Sequence, residues 1–169
     1  MSVAIAIVQI CRFGVFSTIP IQSGLSNIGD VLEVLAGPFG KYVFEILIHS
    51  YEEYYFVKEF QGLSSIFEDV YKESFNQIKN LKAFNQFLSL LFHNITAYLQ
   101  VDISSFNKNI QTSVIESEKL LSKFTYDSNN LEEGIELTIQ IIDICRVNKF
   151  LPDLRKNSLG EQREILESM

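Results

Sequence analysis

Residues 39–60 constrain the fold more than any other stretch, because they keep one helical period for about six turns. Projected at roughly 100° per residue, Lys41, Glu45, Glu52 and Glu59 gather on one side. Val43, Ile46, Leu47, Tyr51, Tyr54 and Val57 face the other way. A strand, which alternates every second residue, cannot satisfy that pattern. Gly62 ends the stretch.

The same segment holds eight Phe and Tyr residues. Tyr42, Phe56 and Phe60 fall beside the Glu45/Glu52 side, so the apolar arc exceeds the roughly 100° stripe that one core contact uses. Either neighbouring helices cover the surplus or a protein partner does, since Tyr and Phe are enriched in interface cores. On the second alternative, Tyr42, Phe56 and Phe60 are the candidate interface residues.

The remaining chain continues the helical theme. Asp30 is placed to cap a short helix that stops at Gly37-Pro38. Ser65 and Glu68 have capping-box spacing and open a helix expected to reach about Asn80. Asn80 then caps a very apolar helix over 81–100, whose polar strip is narrow: Lys82, Gln86, Ser89, His93 and Gln100. That helix is expected to be central, with His93 solvated. Ser105 is expected to cap the next helix, to Phe124, where Phe106, Ile110, Val114, Leu121 and Phe124 form a thin stripe on a polar rod suited to the periphery. Asn130 and Glu133 repeat the box spacing for a helix to about Val147, and Ser158 and Glu161 for a short terminal one expected to fray. Val3 to Cys11 is apolar on all sides and reads as a buried helix or a buried strand. The expectation is one domain over 1–169, all-α or mainly α: a compact bundle of six or seven helices, with the first thirty residues partly extended or irregular.

Composition supports a globular chain. Apolar residues make up 47% and charged residues 21%, outside the range of disordered sequences. The longest uncharged run, 13–29, contains Pro20, Gln22, Asn27 and three glycines, which excludes a membrane span. Cys11 and Cys145 are lone thiols in apolar contexts, so a reducing, cytoplasmic setting is expected. A formal charge of −7 opposes a general nucleic-acid coat.

No pattern of catalytic residues emerges, and the chain reads as non-enzymatic, without cofactor or metal. Two histidines, His49 and His93, are the available bases, and neither belongs to a triad-like motif. Glu45, His49 and Glu52 share a helix face, but a di-metal bundle needs Glu-x-x-His pairs on two helices, and no second copy exists. Gly37-Pro38-Phe39-Gly40 has the outline of an RNA-clamping GxxG loop, yet Pro38 lacks the amide such a loop uses, and a helix boundary accounts for it. One local basic cluster remains: Arg146, Lys149, Arg155 and Lys156, with Phe150 among them. It could neutralise and stack a single strand, or it could be a helix C-terminus followed by a solvated loop.

The apolar opening Val3-Ala4-Ile5-Ala6-Ile7-Val8-Gln9-Ile10, the loop over 21–30 and the helix over 31–36 ahead of Tyr42 resemble the small-subunit family of archaeal type I-A CRISPR interference complexes. The resemblance covers about a third of the chain. It implies a non-catalytic helical subunit in an antiviral defence complex, packed against other protein subunits and against copies of itself along an RNA-bound backbone. Such subunits present basic surface, and this chain's acidity departs from that pattern. The nucleic-acid contact implied here is therefore weak or indirect. Two other readings stay open: a helical adaptor or regulator unrelated to CRISPR, and a metal- or ligand-binding bundle resting on Glu45, His49 and Glu52.

Overall fold

A computed structural model describes residues 32, 33, 35–75, 77–97, 101–124, 131–152, 154 and 157–168. They form an all-helical bundle, with no strand among the described residues. Its helices are α1 (Pro38–Glu59), α2 (Ser64–Phe75), α3 (Ala83–Thr96), α4 (Lys108–Leu121), α5 (Leu131–Val147) and α6 (Leu159–Ser168). Short 3-10 turns occupy Gln61–Leu63, Ile78–Asn80 and Ile103–Ser105. The opening segment 1–30, the caps expected at Asp30 and Asn130, and Cys11 lie outside the described residues.

The Gly-Pro-Phe-Gly sequence is a helix boundary. Leu32, Glu33, Leu35 and Ala36 are helical, and Gly37 turns the chain with φ 77°, in the left-handed region that glycine tolerates. Its amide donates to the Glu33 carbonyl at 3.1 Å, closing the preceding turn. Pro38 then starts α1, where its fixed φ suits the first turn and its missing N–H is not needed. Gly40 lets the two segments meet, since a Cβ there would lie 2.6 Å from the Ala36 Cβ.

Ring and hydrogen-bond contacts fix the helix directions. Phe84, at the start of α3, packs edge-on against Phe39 at the start of α1, with centroids 5.1 Å apart. At the other end of α3, Phe92 and His93 lie against Tyr71, which donates to Glu53 late in α1. α1 and α3 therefore run in the same direction. α4 joins them: Asn109 in its first turn donates to the Lys149 carbonyl, and Phe124 just past its end meets Tyr51 at 5.2 Å. α5 runs the opposite way. A Cβ on Gly134 would lie 3.2 Å from Phe44, while Arg146 at the far end of α5 reaches the Ala36 carbonyl. Between these helices Phe39, Phe87, Leu90, Leu91, Ile141 and Ile142 are buried almost completely. Each such side chain contributes about 1.5–3 kcal/mol by leaving water.

Several boundaries differ from expectation for local reasons. α2 begins at Ser64, directly after a 3-10 turn, and ends at Phe75 rather than near Asn80. Asn80 closes a separate 3-10 turn instead of capping α3. α3 stops at Thr96 because Ala97 enters the left-handed region at φ 54°. Asn107, not Ser105, caps α4: its Oδ1 accepts from Asn109 N, while Ser105 ends a turn capped by Asp102. α4 is also less peripheral than its stripe suggests. It contacts both α3 and α5, and the fully buried Ser113 and Ser117 widen its packing face. The box at Ser158 and Glu161 forms as expected, with Glu161 Oε2 accepting from Ser158 N at 2.8 Å. That capped turn and the buried Gln162, which donates to the Leu154 and Asn157 carbonyls, hold the start of α6.

Candidate functional site

α1 exposes aromatic surface at both ends. Phe60 ends the helix and remains 50% exposed, with its ring 5.0 Å from that of Phe56, itself half-buried. Tyr42 is 43% exposed and turns one edge toward Phe84 at 6.3 Å. Tyr42 and Phe60 are eighteen positions apart, or about 27 Å along a helix at 1.5 Å per residue. The structure thus brings Phe56 and Phe60 together and leaves Tyr42 at the opposite end. Near Phe60 the first half of α2 adds Ile66 and Val70, both exposed, while its Phe67 and Tyr71 turn inward. Glu59, Glu68 and Asp69 are exposed around this corner.

The basic cluster divides differently. Arg146 is an internal tie: its guanidinium donates to Asp143 Oδ1 at 3.0 Å and to the Ala36 carbonyl at 2.9 Å, and its side chain is only 11% exposed. Phe150 packs on Phe87 at 5.3 Å and belongs to the edge of the core. Lys149 is exposed, with φ 55°. Arg155 and Lys156 lie outside the described residues. Of the two expected nucleic-acid contacts among the described residues, Lys149 is on open surface and Arg146 is not.

The carboxylate–histidine face carries ordinary surface pairs. Glu45 lies 3.9 Å from Lys41, and His49 Nδ1 lies 3.8 Å from Glu52 Oε2. Among the described residues no group of three His, Cys, Asp or Glu could hold a metal ion. An open cleft of about 180 Å³ between α4 and α5, lined by Leu120, Phe124, Glu133 and Leu137, is smaller than the roughly 300 Å³ at which small-molecule sites begin.

His93 corrects the expectation of a solvated histidine. It is 4% exposed, and burial pushes its pKa down to about 4, so the ring is neutral at pH 7. α2 covers it through Tyr71, whose hydroxyl donates to Glu53 Oε2 at 2.8 Å, with Glu53 also buried. Glu53 escaped attention in the sequence, although it stands four residues before Val57 on the apolar side of α1. Cys145 is fully buried beside Ser113, and desolvation raises its thiol to about 12, which makes it unreactive. No helix among the described residues is long and apolar enough to cross a membrane.

Comparison with protein-family models, with curated proteins and with solved structures yields no match in any of the three.

Proposed function

We propose that this chain is a non-catalytic helical subunit that acts by packing against other proteins through the aromatic surface of α1. The observation that carries the reading is the exposure of Phe60 and Tyr42 after the bundle has assembled, 50% and 43% respectively. Half-exposed rings on an otherwise well-packed helix suit interface anchors, because Phe and Tyr offer large contact area at small entropic cost. The internal role of Arg146 and the charge of −7 support a protein partner over nucleic acid, with any nucleic-acid contact weak or indirect.

The resemblance in the opening segment directs the proposal to a setting: the small subunit of a cytoplasmic, archaeal CRISPR RNA-guided interference complex. Reconstitution with the backbone subunits of such a complex tests both parts. Stoichiometric incorporation of the wild type, reduced by Phe60→Ala, is the expected outcome. No incorporation removes the CRISPR assignment, and incorporation indifferent to Phe56→Ala and Phe60→Ala removes the aromatic surface from the contact.

A further inference from the structure

Among the described helices, α2 is held least firmly. The main helix packings are α1 with α3 and α5, and α4 with the same two, whereas α2 makes its closest backbone approach to the 3-10 turn that precedes it. Its attachment is by side chains one turn apart on one face: Phe67, 4% exposed, and Tyr71 turn inward, while residues 64–66, 68–70 and 72 are exposed. Two 3-10 turns, Gln61–Leu63 and Ile78–Asn80, bracket the helix. The first contains Gly62, where a Cβ would meet nothing, so the chain has room to hinge there.

This lightly held helix covers two buried titratable side chains from different elements. Beneath Tyr71 lie Glu53 of α1 and His93 of α3, 8% and 4% exposed. The Tyr71 hydroxyl donates to Glu53 Oε2 at 2.8 Å, and its ring stands edge-on to His93 at 6.0 Å and tilted on Phe92 at 4.9 Å.

We infer that α2 is a proton-released flap: protonation of His93 lifts it at the Gln61–Leu63 turn before the helices beneath it separate. A buried imidazolium needs water or acceptors around it. Lifting α2 admits water at the cost of two side-chain attachments, whereas any other route parts α1 from α3 and opens the core around Leu90 and Leu91. Tyr71 from α2 and, through its hydroxyl, Glu53 from α1 face His93; one turn earlier on α1, His49 pairs with Glu52. Burial lowers the His93 pKa from 6.5 to about 4, so desolvation outweighs any attraction from the Glu53 carboxylate. The hydrated ring of the lifted state binds its proton near 6.5, so closure is favoured above that pH and weakens as pH falls toward 4. Lifting adds the rings of Phe67, Tyr71 and Phe92 to the apolar surface that Ile66 and Val70 already present. The flap does not rest on the docking role proposed above.

Amide hydrogen exchange of the wild type at pH 7.5 and 5, each rate divided by the intrinsic rate at its pH, reads the flap directly. Protection in α2 is expected to lie below that in α3 at both pH values. It should fall about 30-fold from pH 7.5 to 5, the factor set by pKa values of 6.5 and about 4 in the lifted and closed states. His93→Gln should reduce that fall to less than about threefold, with circular dichroism checking its helical fold. Glu53→Gln keeps an acceptor for Tyr71 and should leave the fall in place. If α2 and α3 exchange alike at both pH values, α2 opens only with the whole bundle and the flap is overturned. A fall that is absent in the wild type, unchanged in His93→Gln or lost in Glu53→Gln takes His93 out of the switch and overturns it equally. Should His93→Gln fail to fold, the His93 ring resonances of the wild type decide: a titration midpoint well below 6.5 supports the flap, and one near 6.5 shows a ring already hydrated and overturns it.

Discussion

Acid should weaken this protein through His93 in particular. The ring is 4% exposed beneath Tyr71 and Phe92, and its pKa falls from 6.5 to about 4 because burial opposes the charged form. In the unfolded chain the same group titrates near 6.5. Between those values the unfolded state binds the extra proton, so stability falls as pH drops through this window. The contribution is fully present above about 6.5 and gone near 4, and amounts to about 3 kcal/mol in all. Roughly 2 kcal/mol of it is lost between pH 7.5 and 5. Urea unfolding of wild type and His93→Gln at both pH values isolates the group, since the other titrating side chains are common to both. The gap between the two proteins should narrow by about 2 kcal/mol at pH 5. Parallel profiles, with the gap constant to within about 0.5 kcal/mol, would refute the burial of a neutral His93.

Other substitutions probe the junctions that orient the helices. Gly40→Ala places a Cβ 2.6 Å from Ala36, so overpacking of about 1–3 kcal/mol should outweigh the roughly 1 kcal/mol gained in helix propensity, whereas Gly160→Ala meets open space and should be neutral or stabilising by thermal melt. Arg146→Lys loses the fork that joins Asp143 to the Ala36 carbonyl and is expected to cost about 1–3 kcal/mol in denaturant unfolding. Tyr71→Phe takes the donor from the buried Glu53 carboxylate and should cost about 1–3 kcal/mol, with faster amide exchange in α2 as its signature.

What could be read from the residues followed from how far each signal is local. α1 and α5 matched closely because their periodicity and their glycine, proline and cation punctuation belong to the segments themselves. α3 was read too long because its apolar pattern runs past Thr96, and nothing in it announces that Ala97 turns left-handed. Helical projection also assigned His93 to an open face, and proximity in sequence grouped Arg146 with an open basic cluster. Projection knows only a helix's own sides, whereas His93 is covered by α2 and Arg146 is bound by a carbonyl one hundred and ten positions away. Glu53 was missed for the same reason, its partner Tyr71 being on another helix. The candidate rings Tyr42, Phe56 and Phe60 were visible as surplus in the arc of α1, but that Tyr42 and Phe60 stay open while Phe56 is half-buried depends on which neighbouring helices cover α1.

The docking account stands on Phe60 and Phe56 being surface rather than core, and paired unfolding measurements decide this most directly. Phe87, fully buried in the centre of the bundle, is the internal reference, and Phe87→Ala should cost about 3–5 kcal/mol. Phe60→Ala gives up mainly its contact with Phe56, worth about 0.5–1.5 kcal/mol, and should change stability by no more than that. Phe56→Ala should likewise stay well below the Phe87 value, while both variants associate more weakly than the wild type. Losses of several kilocalories per mole in both, comparable with Phe87→Ala, would place these rings in the core and contradict the account.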